Sequence, residues 1–144
     1  MTCFVDSTAL VKLYADEEGA RSIRLLGPLV VADIARAEVP AALWKKQRLG
    51  ELDPGEAEIL IADFEADWFG TDVEEPRFAV VSTTALVMDD AARLTGVHGL
   101  LADDAIQLAC ARAARTAEPT CTSLAAFTES LRDAAAAEGF DLVP

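Results

Sequence analysis

Thr2-Cys3-Phe4-Val5-Asp6-Ser7-Thr8-Ala9-Leu10-Val11-Lys12-Leu13-Tyr14 opens the chain and decides how the rest must fold. Cys3, Phe4 and Val5 make an apolar run suited to a buried strand over about residues 2–6. Asp6 closes that run where a helix begins, and Ser7 or Thr8 is expected to cap the helix. Leu10, Val11, Leu13 and Tyr14 supply its apolar positions. In open α/β sheets, ligands bind in the crevice beyond the carboxyl ends of the strands. A carboxylate delivered to that place is a candidate functional group from the outset.

The pattern repeats along the chain. A short helix is expected over Ala20–Leu26, and Gly27-Pro28 turns into a strand at Leu29-Val30-Val31. A long helix is expected over Ile34–Leu49, with Pro40 inside it predicting a kink or a later start. Asp53-Pro54-Gly55-Glu56 is a strong helix opening, and Gly70 closes that helix after Phe69. Arg77–Val81 reads as a third strand, followed by a helix capped at Ser82 or Thr83 and stopped at Gly96. A helix over Asp103–Arg115, a strand at Pro119–Thr122, a helix over Thr128–Glu138 and a strand at Phe140–Val143 complete the reading. Strands that alternate with helices predict a parallel sheet covered on both faces. The fold class expected is α/β, one domain over residues 1–144.

Bulk properties narrow the class. The chain has 144 residues, 52% apolar and 26% charged, long enough for a core without disulfides. Cys3, Cys110 and Cys121 share no ligand-like spacing, which predicts buried reduced thiols and a cytoplasmic location. No apolar stretch approaches a membrane span, and Met1-Thr2-Cys3 carries no basic leader, so neither signal peptide nor anchor is expected. Twelve basic against 25 acidic residues give a net charge of −13. A generic nucleic-acid binder is basic, so a nucleic-acid substrate would need a local basic strip, and otherwise the partner is itself basic. Lys45, Lys46 and Arg48 are the nearest thing to a cluster. They also suit the C-terminal end of a helix.

Two further acids stand in settings like that of Asp6: Glu38 in Ala35-Arg36-Ala37-Glu38-Val39, and Asp103-Asp104 before Ala105-Ile106-Gln107-Leu108-Ala109. Asp6 could be a helix cap and Glu38 a solvent-facing acid favourable to the helix dipole. Adjacent helix residues point about 100° apart, so Asp103 and Asp104 cannot both face one site, and periodicity does not choose between them. Two carboxylates 4 Å apart repel by roughly 1 kcal/mol in water and about 4 kcal/mol at an effective dielectric of 20. A cluster of three therefore needs a proton or a cation. Oxygen-only ligation selects a hard ion such as Mg²⁺ or Mn²⁺, suited to polarising a phosphoryl oxygen and acidifying water. Convergence of the three would make the chain a metal-dependent hydrolase. His98, between Gly96 and Gly99, reads as a loop residue, and Trp44 and Trp68 as packing residues. No Gly-rich phosphate loop or serine elbow is present.

The ordered set Phe4–Tyr14, Ala35–Val39, Asp104–Ala109 and Leu131–Phe140 resembles PIN-domain ribonucleases, specifically VapC-type toxins of bacterial toxin–antitoxin pairs. The resemblance spans nearly the whole chain. It implies a three-layer α/β/α sandwich in which Asp6, Glu38 and Asp104 gather at one edge as catalytic acids. Asp6 and Asp104 would touch Mg²⁺ or Mn²⁺ most directly, with Glu38 acting through water, and Asp103 would be an extra neighbour. The implied reaction is endonucleolytic cleavage of RNA, and the implied partners are a VapB-like antitoxin and a second copy in a homodimer. One departure stands out: members of the family commonly carry a fourth acid where this chain has Thr128, which predicts weaker metal affinity. The alternative is a PIN-like protein that binds a basic partner without cleaving RNA. A strand-terminal Asp also suits a phosphatase of the haloacid-dehalogenase type, but that chemistry expects a second Asp where Thr8 stands.

Overall fold

The computed structural model describes residues 2–144. Five strands form one sheet: β1 (Cys3–Val5), β2 (Leu29–Ala32), β3 (Phe78–Val81), β4 (Ser123–Ala125) and β5 (Asp141–Val143). Their spatial order is β3-β2-β1-β4-β5 and every neighbouring pair is parallel. Seven α-helices connect them: α1 (Ser7–Leu10), α2 (Ala20–Arg24), α3 (Ala35–Arg48), α4 (Pro54–Phe69), α5 (Ala85–His98), α6 (Ala102–Ala117) and α7 (Glu129–Ala137), with a 3₁₀ turn at Val11–Leu13 after α1.

Strand alternation builds the layers. Phe4, Val30, Ala32 and Leu124 point to one face, where they pack with Leu94 of α5, Leu108 of α6 and Leu131 of α7. Cys3, Val5, Leu29 and Val31 point to the other, against Leu10 of α1, Ile23 of α2, Leu43 of α3 and Phe64 of α4. The result is the expected three-layer sandwich, with a sheet that is parallel throughout. Among the described residues no helix is long and apolar enough to cross a membrane. All three cysteines are free and buried. Burial pushes the Cys3 thiol up to about 12 and that of Cys110 up to about 11.

Several expectations need correction. The fourth strand is Ser123–Ala125, not Pro119–Thr122. Thr120, Cys121 and Thr122 have the higher strand propensity, yet the ladders with β1 and β5 take the fully buried Ser123, Leu124 and Ala125, while Pro119 and Thr120 form a turn after α6. The helix expected to stop at Gly96 runs on to His98 and ends at Gly99, whose φ of 65° is the left-handed cap conformation. A glycine inside a helix costs only about 1 kcal/mol, too little to end one that packing supports. Thr84 caps that helix, because Thr83 is occupied with Asp33, to which it donates both its backbone N–H and its hydroxyl. The capping box at Asp53 and Glu56 forms as read, and Pro40 lies within a continuous α3.

His98 is consequently a helix residue rather than a loop residue. Its Nε2 lies 2.8 Å from Glu138 Oε1, and Arg112 donates to Glu138 Oε2 at 2.5 Å and to Asp90 at 2.8 Å. This network ties α5, α6 and the end of α7 together. The hydrogen bond with His98, reinforced by the charge of Arg112, holds the Glu138 carboxyl below the usual carboxylate range. A depressed folded value contributes stability above the unfolded value of about 4.3 and loses it as pH falls through the folded one. Glu138→Gln should therefore cost about 1–2 kcal/mol at pH 7 and flatten the loss of stability between pH 5 and 3. Urea midpoints across that range check it; curves for the two proteins that stay parallel would show that Glu138 is not a source of the acid sensitivity.

Candidate functional site

Parallel strands place their C-terminal ends at one edge of the sheet, and three carboxylates arrive there on separate elements. Asp6 follows the central strand β1, Glu38 stands in the first turn of α3 just after β2, and Asp104 stands in the first turn of α6. Asp6 is 2% exposed. Its carboxylate accepts the Ala9 N–H at 2.8 Å and the Thr8 hydroxyl at 3.0 and 2.9 Å on its two oxygens. Asp6 is thus itself the N-cap of α1, in place of the expected Ser7 or Thr8. The acid does two jobs: it satisfies a helix terminus and it presents charge at the crevice.

Ser7 is free of capping because it serves Glu38. Its Oγ donates to Glu38 Oε1 at 2.9 Å, and Gln107 Nε2 donates to that same oxygen at 3.0 Å and to Ser7 Oγ at 2.8 Å. Glu38 is half-buried and pinned by both groups. Gln107 is 3% exposed, and its Oε1 is buried with no hydrogen-bond partner among the described residues. Asp104 is half-buried, whereas Asp103 is exposed and accepts the Asp104 N–H at 3.0 Å. The inward member of the pair is therefore Asp104.

Electrostatics links the three. Burial pushes the Asp6 carboxyl up to about 6, the negative charges of Asp104 and Glu38 add to that push, and the Ala9 and Thr8 donors oppose it. The Asp104 carboxyl is raised too, first by burial and then by Asp103 and Glu38. Among the described residues, however, no three His, Cys, Asp or Glu side chains form a group that could hold a metal ion by themselves. A dehydrated cation caged by all three acids therefore does not match this arrangement. A hard cation that keeps most of its waters and takes one or two carboxylates does, because the donors are oxygens whose like charges repel one another.

Other sequence candidates lie elsewhere or serve packing. His98 is on the network at the far end of α7. Trp68 packs on Phe64 and Phe78, with ring centroids 5.6 and 6.3 Å away, while Trp44 is half-buried. Lys46 is neutralised by Glu17 at 2.5 Å and Glu51 at 3.3 Å. Thr128 is the exposed N-cap of α7 and makes no side-chain capping bond. Sequence reasoning missed Ser7 and Gln107 as functional residues. A usable signal existed for Gln107, which stands three residues after Asp104 and so shares its helix face.

No protein-family model matches the chain, and no curated protein matches it. Solved structures do. The chain is similar to a toxin–antitoxin complex from Klebsiella pneumoniae, with TM-score 0.57 and 16% identity over 88% of this chain and 86% of that one. It is also similar to FitAcB from Neisseria gonorrhoeae, with TM-score 0.63 and 13% identity over 99% and 96% of the two chains. At such identities the likeness is one of fold. It supports the three-layer α/β/α sandwich along the length of the protein.

The clamp on Glu38 makes a stability prediction. Gln107→Met loses two donated bonds but also removes an unsatisfied buried carbonyl worth about 1–3 kcal/mol, so its net effect should stay within about 1 kcal/mol. Ser7→Ala removes a bond from both neighbours with no such relief and should cost about 1–2 kcal/mol. Urea unfolding at unchanged m-value measures both; the opposite ranking would mean that the Gln107 oxygen is satisfied in solution.

Proposed function

We propose that this protein is a divalent-metal-dependent endoribonuclease acting as the toxin of a toxin–antitoxin pair in the cytoplasm. The support for this reading is that Asp6, Glu38 and Asp104, carried by three separate elements, lie close enough to feel one another's charge, with Glu38 pinned by Ser7 and Gln107. Asp6 and Asp104 would hold a hydrated Mg²⁺ or Mn²⁺. When bound, that ion supplies charge stabilisation for a phosphoryl oxygen and lowers the pKa of water. Glu38 has one oxygen saturated by Ser7 and Gln107, which leaves Oε2 to orient and deprotonate the attacking water. Thr8 and the Ala9 amide hold Asp6 in a fixed rotamer, so its charge is ordered before substrate arrives.

The inhibitory partner in this reading is a VapB-like antitoxin that places a basic segment against the acids. The net charge of −13 suits such a partner. The similar Klebsiella structure is a toxin–antitoxin complex. Exposed Leu86 and Met88 on α5 and Leu101 before α6 supply apolar surface for pairing with a second copy.

Asp6→Asn provides the first test. Asparagine keeps a carbonyl oxygen for the Ala9 N–H, so the fold should survive while Mn²⁺-dependent cleavage of single-stranded RNA falls below detection. Cleavage at the parental rate would remove Asp6 from the mechanism. The lack of a ready-made three-ligand group among the described residues favours one specific rival, a PIN-like protein that binds a basic partner without cutting RNA. Calorimetric titration with Mn²⁺ separates the two, since the rival has neither a stoichiometric site nor divalent-dependent cleavage.

Thr128→Asp has two independent readouts. An aspartate at an N-cap that now lacks a side-chain bond should add about 0.5–1 kcal/mol of stability. It should also lower the Mn²⁺ concentration needed for half-maximal cleavage. A gain in stability without any change in metal requirement would place position 128 outside the site.

A further inference from the structure

A groove of about 260 Å³ runs along α3 beside the acid site, lined by none of the three acids but sharing Thr8 with it. Thr8 and Val11 line one bank, and Thr8 is the residue whose hydroxyl bonds Asp6. Ala42, Lys45 and Leu49 line the other. These three follow Glu38 at offsets of four, seven and eleven residues, which at 100° per residue lie within about 40° of its direction. One stripe of α3 therefore carries the clamped glutamate at one end and a lysine about 10 Å further along.

The charges on this part of α3 are unlike the rest of the surface. Among the described residues only Arg21, Lys45 and Arg48, of twelve cations, make no ion pair or hydrogen bond. Two of these, Lys45 and Arg48, are neighbours at i and i+3 on α3. Glu17 and Glu51 also line the groove, but both are already bound to Lys46. In a molecule of net charge −13, a polyanion is repelled nearly everywhere. Its favourable path away from the acids is the one where cations remain uncommitted.

We propose that the phosphodiester backbone of single-stranded RNA runs along this stretch of α3 beyond the cleavage point, with Lys45 at the groove on one phosphate and Arg48, one turn further on and outside the groove lining, on the next. The inference rests on the nuclease reading for its direction, because it places the strand relative to Glu38. It differs from that reading in naming a binding strip outside the acids.

The test is fluorescence anisotropy of a labelled single-stranded oligoribonucleotide with the intact protein, without divalent ions, over a range of salt concentrations. Removing one cation that neutralises a phosphate should lower the slope of log K against log salt by about 0.7. Lys45→Ala with Arg48→Ala should lower it by about 1.4 and weaken binding severalfold at low salt, whereas Arg21→Ala should change neither. Lys45→Arg should keep the parental slope. Both side chains are exposed, so the fold is not at risk. Binding by the double variant that matches the parent in affinity and slope would overturn the strip, as would a parent that binds no RNA at low salt. Binding that depends on Lys45 in a protein that cleaves nothing would keep the strip and discard the nuclease. An acidic peptide that binds the groove stoichiometrically, while RNA does not bind, would assign it to a protein partner and overturn the proposal.

Discussion

Everything in this molecule depends on the burial of β1 on all four sides. It pairs with β2 and β4 along its edges, and its side chains enter opposite cores, Phe4 on one face and Cys3 with Val5 on the other. Fully burying side chains of this size is worth about 1.5–3 kcal/mol each. A strand held in that way cannot slip by one residue without turning each core residue to the wrong face. Asp6 is the next residue along, so its position is set by the strand before any interaction of its own is counted.

The site is built from a conflict that the surroundings contain. Burial and two like charges oppose the ionised Asp6, and a backbone amide with a hydroxyl supports it. Because Asp6 also caps α1, the cost of placing a carboxylate there is partly offset by a satisfied helix terminus. Glu38 is managed differently, through donors from α1 and α6 that fix one oxygen and leave the other available. Such an arrangement keeps the charges ordered and suits a cation that retains its water.

The distribution of basic groups follows the same logic. Most are consumed by neighbouring acids or carbonyls, and the few left over are not scattered evenly. Two fall on α3 beyond Glu38, so a chain that is strongly acidic overall still offers a path to an anionic polymer. In the proposed reading, this local arrangement would reconcile the net charge with a nucleic-acid substrate without requiring a basic face.

The sequence by itself determined the alternation of strands and helices, the three layers, and the candidate acids. Those features come from local signals: apolar runs of strand length, the capping box at Asp53, and a carboxylate at the end of a buried run. Tertiary structure decided the rest. It moved the fourth strand from Pro119–Thr122 to Ser123–Ala125, because a position between β1 and β5 rewards burial and pairing on both edges over intrinsic propensity. It carried the fifth helix past Gly96, because packing outweighs a modest backbone penalty. It also turned Asp104 inward and Asp103 outward, and it joined Ser7, Glu38 and Gln107 across 100 residues of sequence. No local pattern encodes such a contact, since two side chains distant in the chain meet only after the sheet and both helix layers have closed around it.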